Sequence, residues 1–279
     1  MTYREALSQL TVAISISESP DMSTLGLTEE HLRDAMTEIA RHLLALGARL
    51  AYGGDLRTYG FTELLFELVA RHLRDADEGD ERTGVTNYLP WPVHCSLSIA
   101  EIERFTSEIA GSAEFVLLAL DGGRLTMDER RTIPRTEPTD VEWTQGLTSM
   151  RKVILSVTQA RVVLGGRIER YKGRMPGIAE ESLLSLQAKQ PLFLLGGFGG
   201  CTRDIAEVLR LAPGAGEEQA KWASREEFEA FSVTDLNNGL TQAENAILAA
   251  TPHVDQAIAL ILRGLLRLNE STPSVEETA

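Results

Sequence analysis

Through its first two hundred residues the chain alternates short apolar runs with amphipathic stretches, and three of the runs end on a glycine pair. The apolar runs cover residues 11–17 (TVAISIS), 49–52, 84–89, 114–120 (EFVLLAL), 161–164 and 191–195 (PLFLL). Between and after them, residues 30–46, 60–74, 99–109, 144–160, 178–188 and 202–211 carry helical periodicity. A βαβα order of this kind specifies an α/β fold: a mainly parallel sheet with helices on both faces and right-handed crossovers. Pro213-Gly214 ends that pattern. Residues 217–231, 242–250 and 254–268 then read as a C-terminal helical extension. The chain thus divides into a sheet domain over 1–212, an extension over 213–269 and a polar, disordered tail over 270–279. The last helix is apolar on more than one face and must be covered, by the sheet or by a second subunit.

Composition narrows the function. With 27 Lys+Arg against 41 Asp+Glu the formal charge is −14, so a nucleic-acid partner is not expected. An anionic ligand would have to be met by a local basic cluster. No apolar run approaches the ~20 residues of a membrane span, and the first residues lack a secretion pattern, so a cytoplasmic location is expected. Cys95 and Cys201 are far apart and read as reduced thiols. The five histidines form no HExxH, and no metal is expected. GxGxxG after the first strand, GxxxxGK[ST] and GxSxG are all absent, which disfavours nicotinamide dehydrogenases, P-loop NTPases and α/β-hydrolases. Residues 121–143 show no hydrophobic period and contain Pro134 and Pro138. They are read as a mobile lid, with plain disorder as the alternative.

In an open parallel sheet, ligands bind outside the carboxyl ends of the strands. The first strand closes through Ser15 and Ser17. The second closes on Gly53, Gly54, Asp55 and Arg57, with Thr62 and Glu63 opening the next helix. The strand at 161–164 closes on Gly165, Gly166 and Arg167, followed by Tyr171, Lys172, Gly173, Arg174, Pro176 and Gly177. The strand at 191–195 closes on Gly196, Gly197, Phe198 and Gly199. Glycine at these points lets backbone N–H groups approach a ligand, and the helix that follows directs its positive end toward an anion. The segment 165–177 carries Arg167, Arg170, Lys172 and Arg174 against Glu169 alone. Guanidinium groups beside backbone donors suit phosphate. Tyr171 and Phe198 are candidates to stack on a base or ribose, with core packing an equal reading for Phe198. Glu180 and Glu181 open a helix beside the basic segment. They complement its dipole, hold ribose hydroxyls, or act as acid and base at a glycosidic bond.

These residues resemble the SLOG superfamily, the group that includes the LOG phosphoribohydrolases and DprA-type proteins. Leu164-Gly165-Gly166 and Pro176-Gly177-Ile178-Ala179-Glu180-Glu181 are similar to the LOG motif PGGxGTxxE, split by an insertion that carries the arginines. Gly53-Gly54-Asp55 and Gly60 resemble the family's earlier glycine turn. Ile178 replaces the motif's threonine, and the insertion separates the Gly-Gly pair from the helix start. Over residues 11–211 the resemblance implies a Rossmann-like fold. The YKGRMPG and GGFGG versions look like SLOG domains of bacterial conflict systems, which are linked with TIR or Sir2 modules and are similar to the ligand-sensing domain at the front of TRPM channels. The implied activity is sensing of an NAD-derived nucleotide such as ADP-ribose or a cyclic isomer, with no further cofactor required. Arg167 and Arg174 would hold phosphates and Glu180 or Glu181 ribose hydroxyls. A homo-oligomer, and a TIR or Sir2 effector, are the expected partners. The alternative is a LOG-like nucleotide N-glycosidase, in which Glu181 stabilises the ribosyl centre and Arg174 fixes the 5′-phosphate.

Overall fold

The computed structural model describes residues 5–54, 60–75, 84–108, 113–213 and 222–271. In chain order the elements are β1 (Thr11–Ser17), α1 (Glu29–Ala45), β2 (Arg49–Tyr52), α2 (Phe61–Asp75), β3 (Val85–Leu89), α3 (Trp91–His94), α4 (Ile99–Glu108), β4 (Ala113–Leu118) and β5 (Arg124–Leu125). They continue with α5 (Met127–Thr132), α6 (Asp140–Val157), β6 (Ala160–Gly165), α7 (Gly177–Gln187), β7 (Leu192–Leu195), α8 (Gly200–Val208), α9 (Gln242–Ala250) and α10 (Val254–Ser271). The strands form one sheet in the order β5-β4-β3-β2-β1-β6-β7. All neighbours are parallel except the short edge strand β5. The α/β Rossmann-like reading holds, with helices on both faces.

The strands are buried on both sides, as a parallel sheet requires. Val12, Ile14 and Ile16 of β1 face α1 and α10. Ala13, Ala51 and Tyr88 face Met150 and Ile154 of α6. Val163 and Leu194 meet α7 and α8. Helix α10 finds its cover within its own chain: Ala257, Ile258, Leu260, Ile261 and Leu265 are buried in the same cluster as the inward residues of α1. Gly264 permits this approach, because a Cβ there would meet Phe193 of β7 and the Asn238 carbonyl.

Three expectations change. Residues 121–143 are not an irregular lid. Leu117 and Leu118 pair with Leu125 and Arg124, α5 carries a capping box between Thr126 and Glu129, and α6 begins at Asp140 behind a second box between Thr139 and Glu142. The segment has no hydrophobic period because its anchor is an arginine. Arg130 is 1% exposed and donates to the carbonyls of Ile133 (2.9 Å), His94 (2.9 Å), Cys95 (3.2 Å) and Leu97 (3.3 Å). Its Nε donates to His94 Nδ1 at 3.2 Å, which leaves His94 Nε2 to donate to the Leu118 carbonyl at 2.9 Å. Burial lowers the His94 pKa to about 4, so the imidazole is neutral.

Second, the helix expected over 217–231 is, across its described residues, a turn and a 3-10 segment at Arg225–Ala230. Ser224 at φ +66° interrupts any α-helical path. Residues 214–221 lie outside the described residues. Third, Glu270 and Ser271, expected in the tail, complete α10. The Asn269 amide donates to the Ala6 carbonyl at 3.0 Å and fixes that end. Residues 272–279 lie outside the described residues.

Candidate functional site at the sheet switch point

From β1 the chain builds outward through β2, β3 and β4, then returns to place β6 and β7 on the other side of β1. The order therefore reverses between β1 and β6, the place where open α/β sheets hold ligands beyond the carboxyl ends of their strands. The three glycine pairs follow β2, β6 and β7, so they lie along a single rim.

At the switch point itself, Gly165 and Gly166 adopt φ +68° and +111°, values that only glycine takes readily. A Cβ on Gly165 would strike the Ser17 carbonyl. Gly166 N–H donates to that carbonyl at 2.9 Å, and Arg167 N–H donates to Ser17 Oγ at 3.3 Å. The Arg167 guanidinium pairs with Glu18 at 2.9 Å. Ser17, Gly165, Gly166 and Arg167 are thus brought together. Ser15, two residues back in the strand, is buried and accepts a hydrogen bond from Arg161 at 2.6 Å.

All three pairs are closed in by protein: Gly165 and Gly166 are buried, and a Cβ on Gly166 would meet Cys201 of α8 and Ile178 of α7. Met150 and Ile154 of α6 lie over Gly53, and Gly54 N–H donates to Asn87 Oδ1 at 3.1 Å. Thr62 is buried beside Gly54, and Glu63 opens α2. Asp55 and Arg57 lie outside the described residues. A Cβ on Gly196 or Gly197 would meet the carbonyls of Ala249 and Thr251, so this pair admits the end of α9. Phe198 is a core side chain, 1% exposed. The N-terminus of α8 already faces an anion: Asp21 Oδ1 accepts Gly200 N–H at 2.8 Å, beside Gly199.

Across the rim, α7 starts at Gly177 behind Pro176. Glu180 is 2% exposed. One of its oxygens accepts from Thr148 Oγ1 at 2.5 Å, and the other pairs with Arg151 of α6. Glu181 pairs with Arg161 at 3.0 Å and lies 3.5 Å from Arg151 Nε. Arg161 also donates to Ser185 Oγ at 3.1 Å. Desolvation pulls the pKa of this buried guanidinium down, and Glu181 opposes that shift. Arg151 Nε and Arg161 Nη2 are buried without a hydrogen-bond acceptor. Arg151 also lines the start of α7, since a Cβ on Gly177 would lie 2.8 Å from its Nη2. Arg151 was not singled out from the sequence. The available signal is its place between Met150 and Ile154 on the inward face of α6.

The basic loop runs between β6 and α7. Tyr171 packs on the cluster around α7 and α8. Gly173 takes φ +114°. Arg174 is half exposed and reaches Glu227 at 3.6 Å and Glu180 at 3.9 Å. The Lys172 ammonium sits 3.4 Å from the centroid of the Trp143 ring.

A family model described as SLOG cluster2 matches residues 6–238. The chain belongs to the SLOG family. No curated protein matches it. Among the described residues of this SLOG chain, no group of three or more His, Cys, Asp or Glu side chains could hold a metal ion, and no helix is long and apolar enough to cross a membrane. The Gly165-Gly166 turn runs directly into the loop that carries Arg167, Lys172 and Arg174, all three exposed. Chemically this is a set of donors for phosphate and ribose oxygens.

Proposed function

We propose that this SLOG chain binds a phosphorylated, ribose-containing nucleotide of the NAD-derived class, such as ADP-ribose or a cyclic isomer, as a sensor in bacterial defence or signalling. The observation that carries the reading is the run of exposed cations, Arg167, Lys172 and Arg174, in the loop that leaves the switch point, in a chain of formal charge −14. Arg167 and Arg174 contact the phosphates, and the Ser17 hydroxyl donates to a ribose oxygen while it accepts the Arg167 N–H. Glu180 orients Arg151 at the start of α7. Both Glu180 oxygens are engaged by Thr148 and Arg151, and the two Glu181 oxygens face Arg161 and Arg151, which favours sensing over glycosidic cleavage, since an acid or base needs an oxygen free for the substrate. The sensor works in the cytoplasm, with a second copy of the chain or a TIR or Sir2 effector receiving the signal.

Titration calorimetry with ADP-ribose and its cyclic isomers tests this. A saturable heat is expected, with the ligand recovered intact by chromatography. Free base accumulating over hours would replace sensing by N-glycosidase action through Glu181 and Arg174. No heat with any of these nucleotides, from folded protein, overturns the proposal.

A further inference from the structure

We propose that Trp143 is the platform on which the nucleotide base stacks, and that Lys172 covers its face until the base arrives. The inference rests on the nucleotide-binding reading above and adds to it the part of the ligand that is not phosphate or ribose.

The placement follows from helix geometry. Helix α6 leads into the parallel strand β6, so its N-terminal end stands at the carboxyl rim of the sheet. Positions 143, 146, 150 and 154 share the inward face. Gly146 is pressed against Pro92, while Met150 and Ile154 already cover Gly53, the first residue beyond β2. Trp143 lies two turns earlier, about 10 Å further along the axis. It therefore projects past the strands and not into the core beneath them.

The ring is half-buried, and the group on its face is a lysine from the basic loop, at 3.4 Å from the centroid. An ammonium over an aromatic face is a solvent-accessible contact at the end of a flexible stem. A purine competes for the same π surface. Once displaced, the Lys172 ammonium remains in the loop that carries Arg167 and Arg174, within the phosphate-binding part of the site. Among the described residues, other aromatic side chains on this side of the sheet have partners of their own: Tyr171 packs on the cluster around α7 and α8. Phe198 is core, and Trp91 donates its indole N–H to Glu142 at 3.3 Å while meeting His94 edge-on.

The test compares ADP-ribose with ribose 5-phosphate, which keeps one phosphate and one sugar but lacks the base together with the second phosphate and ribose, on wild-type protein, Trp143→Ala and Trp143→Phe. Stacking on one aromatic ring corresponds to about tenfold or more of the preference for the base-containing ligand. Trp143→Ala is expected to cut that preference by this factor by weakening ADP-ribose alone, and Trp143→Phe to retain most of it. ADP-ribose is also expected to quench tryptophan emission in wild-type protein, and the quench to vanish in Trp143→Phe. Trp143→Ala binding ADP-ribose within twofold of wild type, or weakening both ligands equally, overturns the platform. Wild-type protein that binds neither ligand refutes the site reading, and the platform with it.

Discussion

Two buried arginine sites, one on each side of the sheet's midline, handle the same charge in opposite ways. Arg130 sits under the β3–β5 side in a cage of four backbone carbonyls and a neutral histidine, with all three of its nitrogens bonded. Arg151 and Arg161 sit between α6, β6 and α7 against the carboxylates of Glu180 and Glu181, and each keeps a buried nitrogen without an acceptor. A fully satisfied guanidinium fixes architecture: Arg130 ties the segment from β5 to α6 onto α3. Arg151 and Arg161 are balanced instead by two buried carboxylates, so this pair of charges is held by side chains where Arg130 is held by backbone.

The largest expected effect separates these two sites. Arg130→Met strands several carbonyls at once and should cost about 4 kcal/mol or more of stability. Arg151→Met strands one buried carboxylate and should cost about 3 kcal/mol. The two should respond differently to a second substitution. Glu180→Met added to Arg151→Met removes the orphaned charge and should restore most of the loss. No single side-chain change can rescue Arg130→Met, because four of its acceptors are backbone carbonyls. Urea denaturation of the four proteins measures this; failure of Glu180→Met to rescue would erase the distinction.

A smaller effect follows from His94. Its folded pKa of about 4 lies below the unfolded value of 6.5, and burial is the main cause. The unfolded chain therefore binds the proton first. The stability contributed by neutral His94 is fully present above pH 6.5 and is lost as pH falls toward 4, with a ceiling of about 3 kcal/mol. Asp204 runs the other way. Burial raises its pKa to about 6, so its contribution is present in acid and lost as pH rises through 6. Urea midpoints at pH 7 and pH 4.5 in an Asp204→Asn background should therefore fall with pH, and should fall less when His94→Gln is added. Equal falls would mean that the Arg130 cage does not depend on a neutral imidazole.

The contrast also explains what the sequence made legible. The strands and most helices were readable because their burial is apolar and periodic, and strand order alone was enough to put the three glycine pairs on one rim. Residues 121–143 escaped because β5 has two residues and the anchor is Arg130, whose partners are carbonyls that no sequence pattern reports. At the site, Gly165-Gly166 and the basic loop were visible. The role of Gly196-Gly197 was not, because the backbone they admit, at Ala249 and Thr251, is some fifty residues away in the chain. Ser15 and Phe198 sit at a strand end in sequence but point into packed interior. Arg151 was hidden because a lone cation in an amphipathic helix looks like a solvated residue until its face is known.

The central claim is that the rim beside β6 holds a phosphorylated ribose ligand, and ligand-linked melting of wild-type protein and Arg174→Ala tests it most directly. Arg174 is half exposed and its ion pairs are long, so its removal should barely move the melting point without ligand. ADP-ribose at about a hundred times its Kd should raise the Tm of wild-type protein by roughly 5 °C and that of Arg174→Ala by much less. An equal rise in both proteins would contradict the account.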